Sequence, residues 1–278
     1  MLKLQEDFFA IQQTDISKAG LAIAHSADSF AFSLFDTEQS LYKGLCTYST
    51  DGTGKEKADS TLKAIKEKIS NKQTLSEVRI SIRTNYFTLI PEIFFDSSQA
   101  VKHLELLFNP DEMNLVAQYD YHPAAGIYLV YYSPYNLINQ LSSNFGKVQV
   151  NHYLTPLLNR IYRKSPADGL NALVLFTENQ FLLLIMQNGN IQFCNAFEIN
   201  TPEDFNYFLL TSFSRYELDQ SKATVYFTGK TNKQQEFLDA AKANFPKIVS
   251  YIPFPPSAAP DIQAEFHNCY PDLFNLFL

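Results

Sequence analysis

A chain of 278 residues, 46% apolar and 18% charged, can bury one large core or two modest ones, which excludes wholesale disorder. Its net charge of −7 lacks the basic surplus of a nucleic-acid binder, and its longest apolar run, Phe181–Met186, is too short to cross a bilayer. Three widely separated cysteines, Cys46, Cys194 and Cys269, make neither a metal spacing nor a disulfide framework. With no apolar leader at the N-terminus, the expected compartment is the cytoplasm.

Residues 1–19 are polar and mixed, and read as an irregular arm or an edge strand. Order begins at Leu21–His25. After a polar break at Ser26–Ser29, Phe30, Phe32 and Leu34 recur with the period of a strand packed on at least one face. A turn at Asp36–Ser40 leads to a third strand, Leu41–Tyr48. Ala58, Leu62, Ile65 and Ile69 then recur at helical spacing, which predicts an amphipathic helix over 55–71 whose lysines form a solvated outer face.

Strands are expected at 77–83 and 85–90, around a tight turn at Thr84-Asn85. A helix over 99–108, capped by Ser97 or Ser98, precedes strands at 114–121 and 126–132. Pro134 opens a helix to about Leu141, a strand covers 148–153, and Thr155-Pro156 starts a helix through Tyr162. Lys164–Gly169 reads as a junction. The second half opens with apolar strands meeting at Asn188-Gly189, within Leu173–Glu198. A helix from Thr201 to about Tyr216 follows, with Thr201 as cap and Asp204 three residues on. A strand at 223–228, a helix over 232–244, a short strand at 248–252, a proline-rich loop at 253–260 and an apolar tail complete the chain.

When Phe30 is set against Phe181, the two halves run together. Asp28–Phe35 lies over Asn179–Met186, the turns at 36–39 and 187–190 coincide, and a third strand follows each. Each half continues through helix, strand, helix and strand, the first with extra strands inserted. This duplicated β-β-β-α-β-α-β order resembles the actin-like ATPase fold of actin, Hsp70 and the sugar kinases. The whole chain is also similar to a bacterial family with that fold and no assigned activity. The resemblance implies a mixed α/β, ribonuclease H-like duplication, with domains over 1–165 and 166–278 around a nucleotide cleft. Leu21–Asp36 looks like the first phosphate motif, the second meander stands where the second belongs, and Val225–Gly229 stands where the adenosine motif belongs.

Departures from the family's pattern weigh against its chemistry. The first motif's aspartate falls on Ala24 and its glycine on Ser26; the second motif's aspartate falls on or near Leu175 and its glycines on Thr177, Glu178 and Asn179. Those acids hold hydrated Mg²⁺ in the family and those glycines admit phosphate to backbone N–H groups, so the resemblance implies a fold kept and a hydrolysis lost. Ser26, Asp28, Thr177, Glu178, Gly229 and Lys230 remain as the residues that would line a nucleotide site. Gly229-Lys230-Thr231 lacks the upstream glycine of a P-loop. His25, His103, His122, His152 and His267 share no metal-ligand spacing.

Two readings stay open at this point, with a binding module for an unrelated small metabolite as a third. One is a non-catalytic scaffold or adaptor that binds protein partners, with no cofactor. The other is a protein that still binds ATP and Mg²⁺, with weak or no hydrolysis. Pro253–Pro256 spells a PxxP that a partner's aromatic groove would accept, although crossing its own surface is the simpler role. The tail Leu273–Leu278 is expected to pack on its own, second domain rather than on a partner.

Overall fold

A computed structural model describes residues 2–8, 18–51, 54–69, 75–110, 114–163, 168–177, 179–231, 233–250, 262 and 264–277. The chain divides into two compact units: 1–158 with 254–266 and 272–278, and 159–253 with 267–271.

The first unit is organised on β1 (Leu2–Asp7), β2 (Ala19–His25), β3 (Ser29–Asp36), β4 (Leu41–Thr50), α1 (Gly54–Lys68) and β5 (Leu75–Ile82). The N-terminal stretch is an edge strand, paired antiparallel with β4. The β3–β4 turn is closed by Asp36, whose Oδ1 accepts the N–H groups of Glu38 and Gln39, both at 3.0 Å. Next come β6 (Phe87–Pro91), α2 (Ala100–Glu105), β7 (Leu115–His122), β8 (Ile127–Pro134), α3 (Tyr135–Phe145), β9 (Val148–His152) and α4 (Leu154–Arg163). Six strands form one sheet in the order β1-β4-β3-β2-β5-β9, and three form another in the order β6-β8-β7.

Several expectations shift here. The strands on either side of Thr84-Asn85 are not a hairpin, because β5 and β6 belong to different sheets. Asp96, rather than Ser97 or Ser98, caps the 3₁₀ turn Ser97–Gln99 that leads into α2, accepting from Ser98 N at 2.8 Å, and α2 ends at Glu105 rather than Phe108. Helix α3 runs on to Phe145, where Gly146 takes a φ of +82°.

The second unit holds β10 (Leu170–Thr177), β11 (Gln180–Gln187), β12 (Asn190–Glu198), α5 (Pro202–Arg215), β13 (Thr224–Lys230), α6 (Gln234–Lys242) and β14 (Lys247–Ser250). The β11–β12 turn is Asn188-Gly189, both with positive φ (49° and 81°), the geometry that suits a two-residue hairpin. Thr201 and Asp204 form a complete capping box at the start of α5. The sheet order is β12-β11-β10-β13-β14, which repeats the first unit's β4-β3-β2-β5-β9 step for step.

The C-terminal residues 272–277 pack within the first unit. Asp272 is fully buried and accepts from Ser81 Oγ (2.6 Å), Arg83 Nε (3.0 Å) and Arg83 Nη2 (2.5 Å). Arg79 donates to Leu276 O at 2.7 Å and covers the Phe277 ring, whose contact with the chain at Gly20 leaves no room for a Cβ there. Pro253–Pro260 and Leu278 lie outside the described residues.

Candidate functional site

The residues nominated from sequence collect at equivalent places in the two units, the carboxyl end of the central strand. That end of a parallel α/β sheet is where ligands usually bind. In the first unit β2 runs parallel to β5, and β5 to β9, so His25 and Ser26 stand at this end. In the second unit β10 runs parallel to β13, which sets Thr177 beside Lys230 and Phe176 beside Gly229. Glu178 lies outside the described residues.

At the β2–β3 turn the polar groups bond to one another. Ser26 N–H donates to Ser29 O at 2.9 Å, and Ser29 N–H donates to Ser26 Oγ at 3.1 Å. Ser26 Oγ donates to Asp28 Oδ1 at 2.7 Å, and Ser29 Oγ reaches the same oxygen at 3.3 Å. Asp28 therefore anchors its own turn, and its carbonyl accepts from Thr50 N at 2.7 Å.

A side chain that sequence reasoning missed completes the turn. Lys57, from the first turn of α1, is only 6% exposed and donates to both Ser26 O and Ala27 O. Its neighbours in the helix show why. Lys57, Ala58, Thr61, Ala64 and Ile65 are the buried positions of α1, so Lys57 sits on the inward stripe rather than the solvated one. A count of the 57, 61, 64, 65 spacing would have found it. Burial, with the Lys57 charge second, holds the His25 imidazole well below its ordinary pKa. An ammonium against this turn also opposes a hydrated Mg²⁺ in the same place.

The second unit meets the same position with apolar contacts. Leu175, on or near which the family's second aspartate is expected to fall, is 1% exposed. Phe176 packs against Phe205, Phe227 and Phe237, with ring centroids 5.4–5.8 Å away. Gly229 adopts a φ of +90°, and a Cβ there would lie 2.1 Å from Phe176 O, so its glycine is required by close strand packing. Thr177 is half-buried at the strand end and Lys230 is exposed. Thr228 Oγ1, fully buried, bonds to Asn268.

A second polar cluster in the first unit was not legible in sequence. Asp120 accepts from Thr155 Oγ1, from His152 N at 2.8 Å and from Tyr131 Oη at 3.3 Å. His122 Nε2 shares Thr155 Oγ1 at 3.2 Å. Burial pushes the Asp120 carboxyl up to about 6 and the His152 imidazole down to about 3. Among the described residues no group of three or more His, Cys, Asp or Glu side chains is arranged to hold a metal ion, and no helix is long and apolar enough to cross a membrane.

A family described as "Protein of unknown function (DUF3822)" matches residues 9–248, most of the chain. The chain belongs to this family. No curated protein matches it. Among solved structures it is similar to a Bacteroides thetaiotaomicron VPI-5482 protein with actin-like ATPase fold and unknown function, at 19% identity over 91% of this chain and 97% of that one, with a TM-score of 0.77. It is also similar to a chain of the PilM–PilN type IV pilus biogenesis complex, at 12% identity over 92% of this chain and 97% of that one, with a TM-score of 0.58. This member of the DUF3822 family thus has an actin-like ATPase fold, as its strand order and motif positions lead one to expect.

Proposed function

We propose that the chain is a non-catalytic actin-like protein, a cytoplasmic scaffold or adaptor that docks protein partners. The observation that carries this reading is the β2–β3 turn. Where the family's first phosphate motif would offer free amides and an acid for Mg²⁺, two of the turn's N–H groups are spent on the turn itself. A buried ammonium holds two of its carbonyls. Leu175 supports the reading from the second unit. The PilM–PilN neighbour is a chain captured in a protein complex, which is compatible with an adaptor. Cys46, Cys194 and Cys269 form no disulfide, which accords with a reducing compartment.

The matching strand order supports a further element of the proposal, that the two units descend from one duplicated unit whose halves meet near residue 165. Calorimetric titration with ATP and Mg²⁺, together with a phosphate-release assay, tests the functional reading. Neither heat nor phosphate release is expected. Binding tighter than about millimolar, where the free energy is about −4 kcal/mol, would restore the alternative of an ATP-binding protein, if Asp28→Ala or Lys230→Ala then weakened it.

A further inference from the structure

The segment from Thr84 to Tyr135, which forms the three-stranded sheet and α2, has a surface unlike the rest of the chain. Among the described residues, nine of the thirteen large apolar side chains exposed to solvent lie in it. The sheet does have a small core of its own: Ala100 and Leu104 of α2 cover Ile90, Val130 and Tyr132. Past that core the same sheet face continues as an aromatic shelf. Phe95 stacks on Tyr128 with centroids 3.8 Å apart, and Tyr121 stacks on Tyr128 at 4.6 Å. Tyr119 closes on Phe95 at 5.0 Å.

Tyr121 Oη donates to Glu92 at 2.8 Å, which ties the shelf to the 3₁₀ turn Glu92–Phe94. From that turn Ile93 and Phe94 project with 85% and 69% of their surface in solvent. The carboxylates of Glu92 and Asp96, both exposed, bracket them. The charge is as uneven as the apolarity. Residues 84–135 contain six acids against one lysine; Asp120 is buried, Asp111 and Glu112 lie outside the described residues, and Glu92, Asp96 and Glu105 are exposed.

Rigid aromatic shelves with projecting apolar side chains are what protein interfaces use as anchors. A surrounding negative field selects the partner's sign. We propose that this face docks a protein segment that is apolar at its centre and cationic at its flanks. A second copy would set like charge against like charge, and nucleic acid or an anionic lipid surface would be repelled. The inference rests on the adaptor reading and gives its partner a chemical class and a place.

The test is selection of a random short-peptide library on the immobilised full chain. Enriched peptides are then synthesised, with charge-reversed controls, and their binding is measured by fluorescence anisotropy. Enriched sequences are expected to carry Lys or Arg around Leu, Phe or Trp. Affinity is expected to fall about tenfold or more in the double variant Ile93→Ser/Phe94→Ser. It should fall severalfold in Glu92→Gln/Asp96→Asn and at high salt. Both pairs are exposed, and circular dichroism checks that each variant folds. Peptides without cations, binding unchanged by Ile93→Ser/Phe94→Ser, no enrichment at all, or a dimer that this variant dissociates would each overturn the proposal. Peptides that bind elsewhere would remove this surface and leave the adaptor reading standing. ATP turnover in the calorimetric and phosphate-release experiment would remove that reading without touching the peptide result.

Discussion

The two units share a strand order and solve the same packing problem with different chemistry. The first buries ionisable groups: Lys57, Asp120, Asp272, His25 and His152 are all less than a tenth exposed. In the second, the buried polar side chains among the described residues are Ser212, Thr224, Thr228 and His267, and the core is built on phenylalanine, from Phe176 to Phe245. The lesson is that a β-β-β-α-β-α-β order constrains where strands lie, not what fills the space at their carboxyl ends. In one unit that space holds a self-bonded polar turn and an ammonium; in the other it holds aromatic rings and a glycine.

The sharpest way to break the comparison is Gly229→Val. At φ +90°, with Phe176 O within 2.1 Å of the new Cβ, it should cost more than about 4 kcal/mol and abolish cooperative unfolding of the second unit, read by urea denaturation. Asp272→Ala should cost about 3–5 kcal/mol, because it strands Arg83, itself 12% exposed at the side chain, without its buried partner. Limited proteolysis should then cut the C-terminal residues first. Lys57→Met keeps the stem and removes the ammonium. It should cost about 2 kcal/mol by urea denaturation. If it were neutral, the buried charge would not be holding the β2–β3 turn.

Titration sharpens the contrast at a smaller scale. The Asp120 carboxyl ionises at about 6 folded against an ordinary 3.8, so between those values the folded chain holds the extra proton, and stability falls as pH rises. The His152 imidazole, at about 3 folded against an ordinary 6.5, has the opposite sign: its contribution is complete above 6.5 and lost as pH falls toward 3. The two offset each other between 3.8 and about 6. Asp120→Asn should therefore steepen the acid loss of stability there, by at most about 1.4 kcal/mol per pH unit, followed by urea midpoints across pH. A wild-type-like slope in the variant would show that Asp120 does not titrate as its burial requires. The smallest effect is expected from Thr201→Ala, about 1 kcal/mol from the α5 capping box, with no pH dependence across that window.

How much could be read in advance follows from the range of each interaction. The alternation at Phe30, Phe32 and Leu34, the Asn188-Gly189 turn and the Thr201–Asp204 box are local patterns with a local cause. Each stands in the structure where its spacing puts it. The order of elements then carried the fold, because two halves with one order leave few topologies to choose from. By pattern alone, the family's acids are expected to fall on Ala24 and on or near Leu175. What it did not show were contacts between residues far apart in sequence: Lys57 on the Ser26 and Ala27 carbonyls, Asp120 on Thr155 and His152, Asp272 on Ser81 and Arg83. None of these pairings has a fixed offset; the 57, 61, 64, 65 spacing marks Lys57 as inward but not what it bonds. A lysine beside other lysines reads as solvated, and an aspartate in an apolar tail reads as exposed. Only tertiary packing gave Lys57 its carbonyl partners and brought Asp272 back to β5, since burying a charge becomes possible only where a distant partner already waits to bond it.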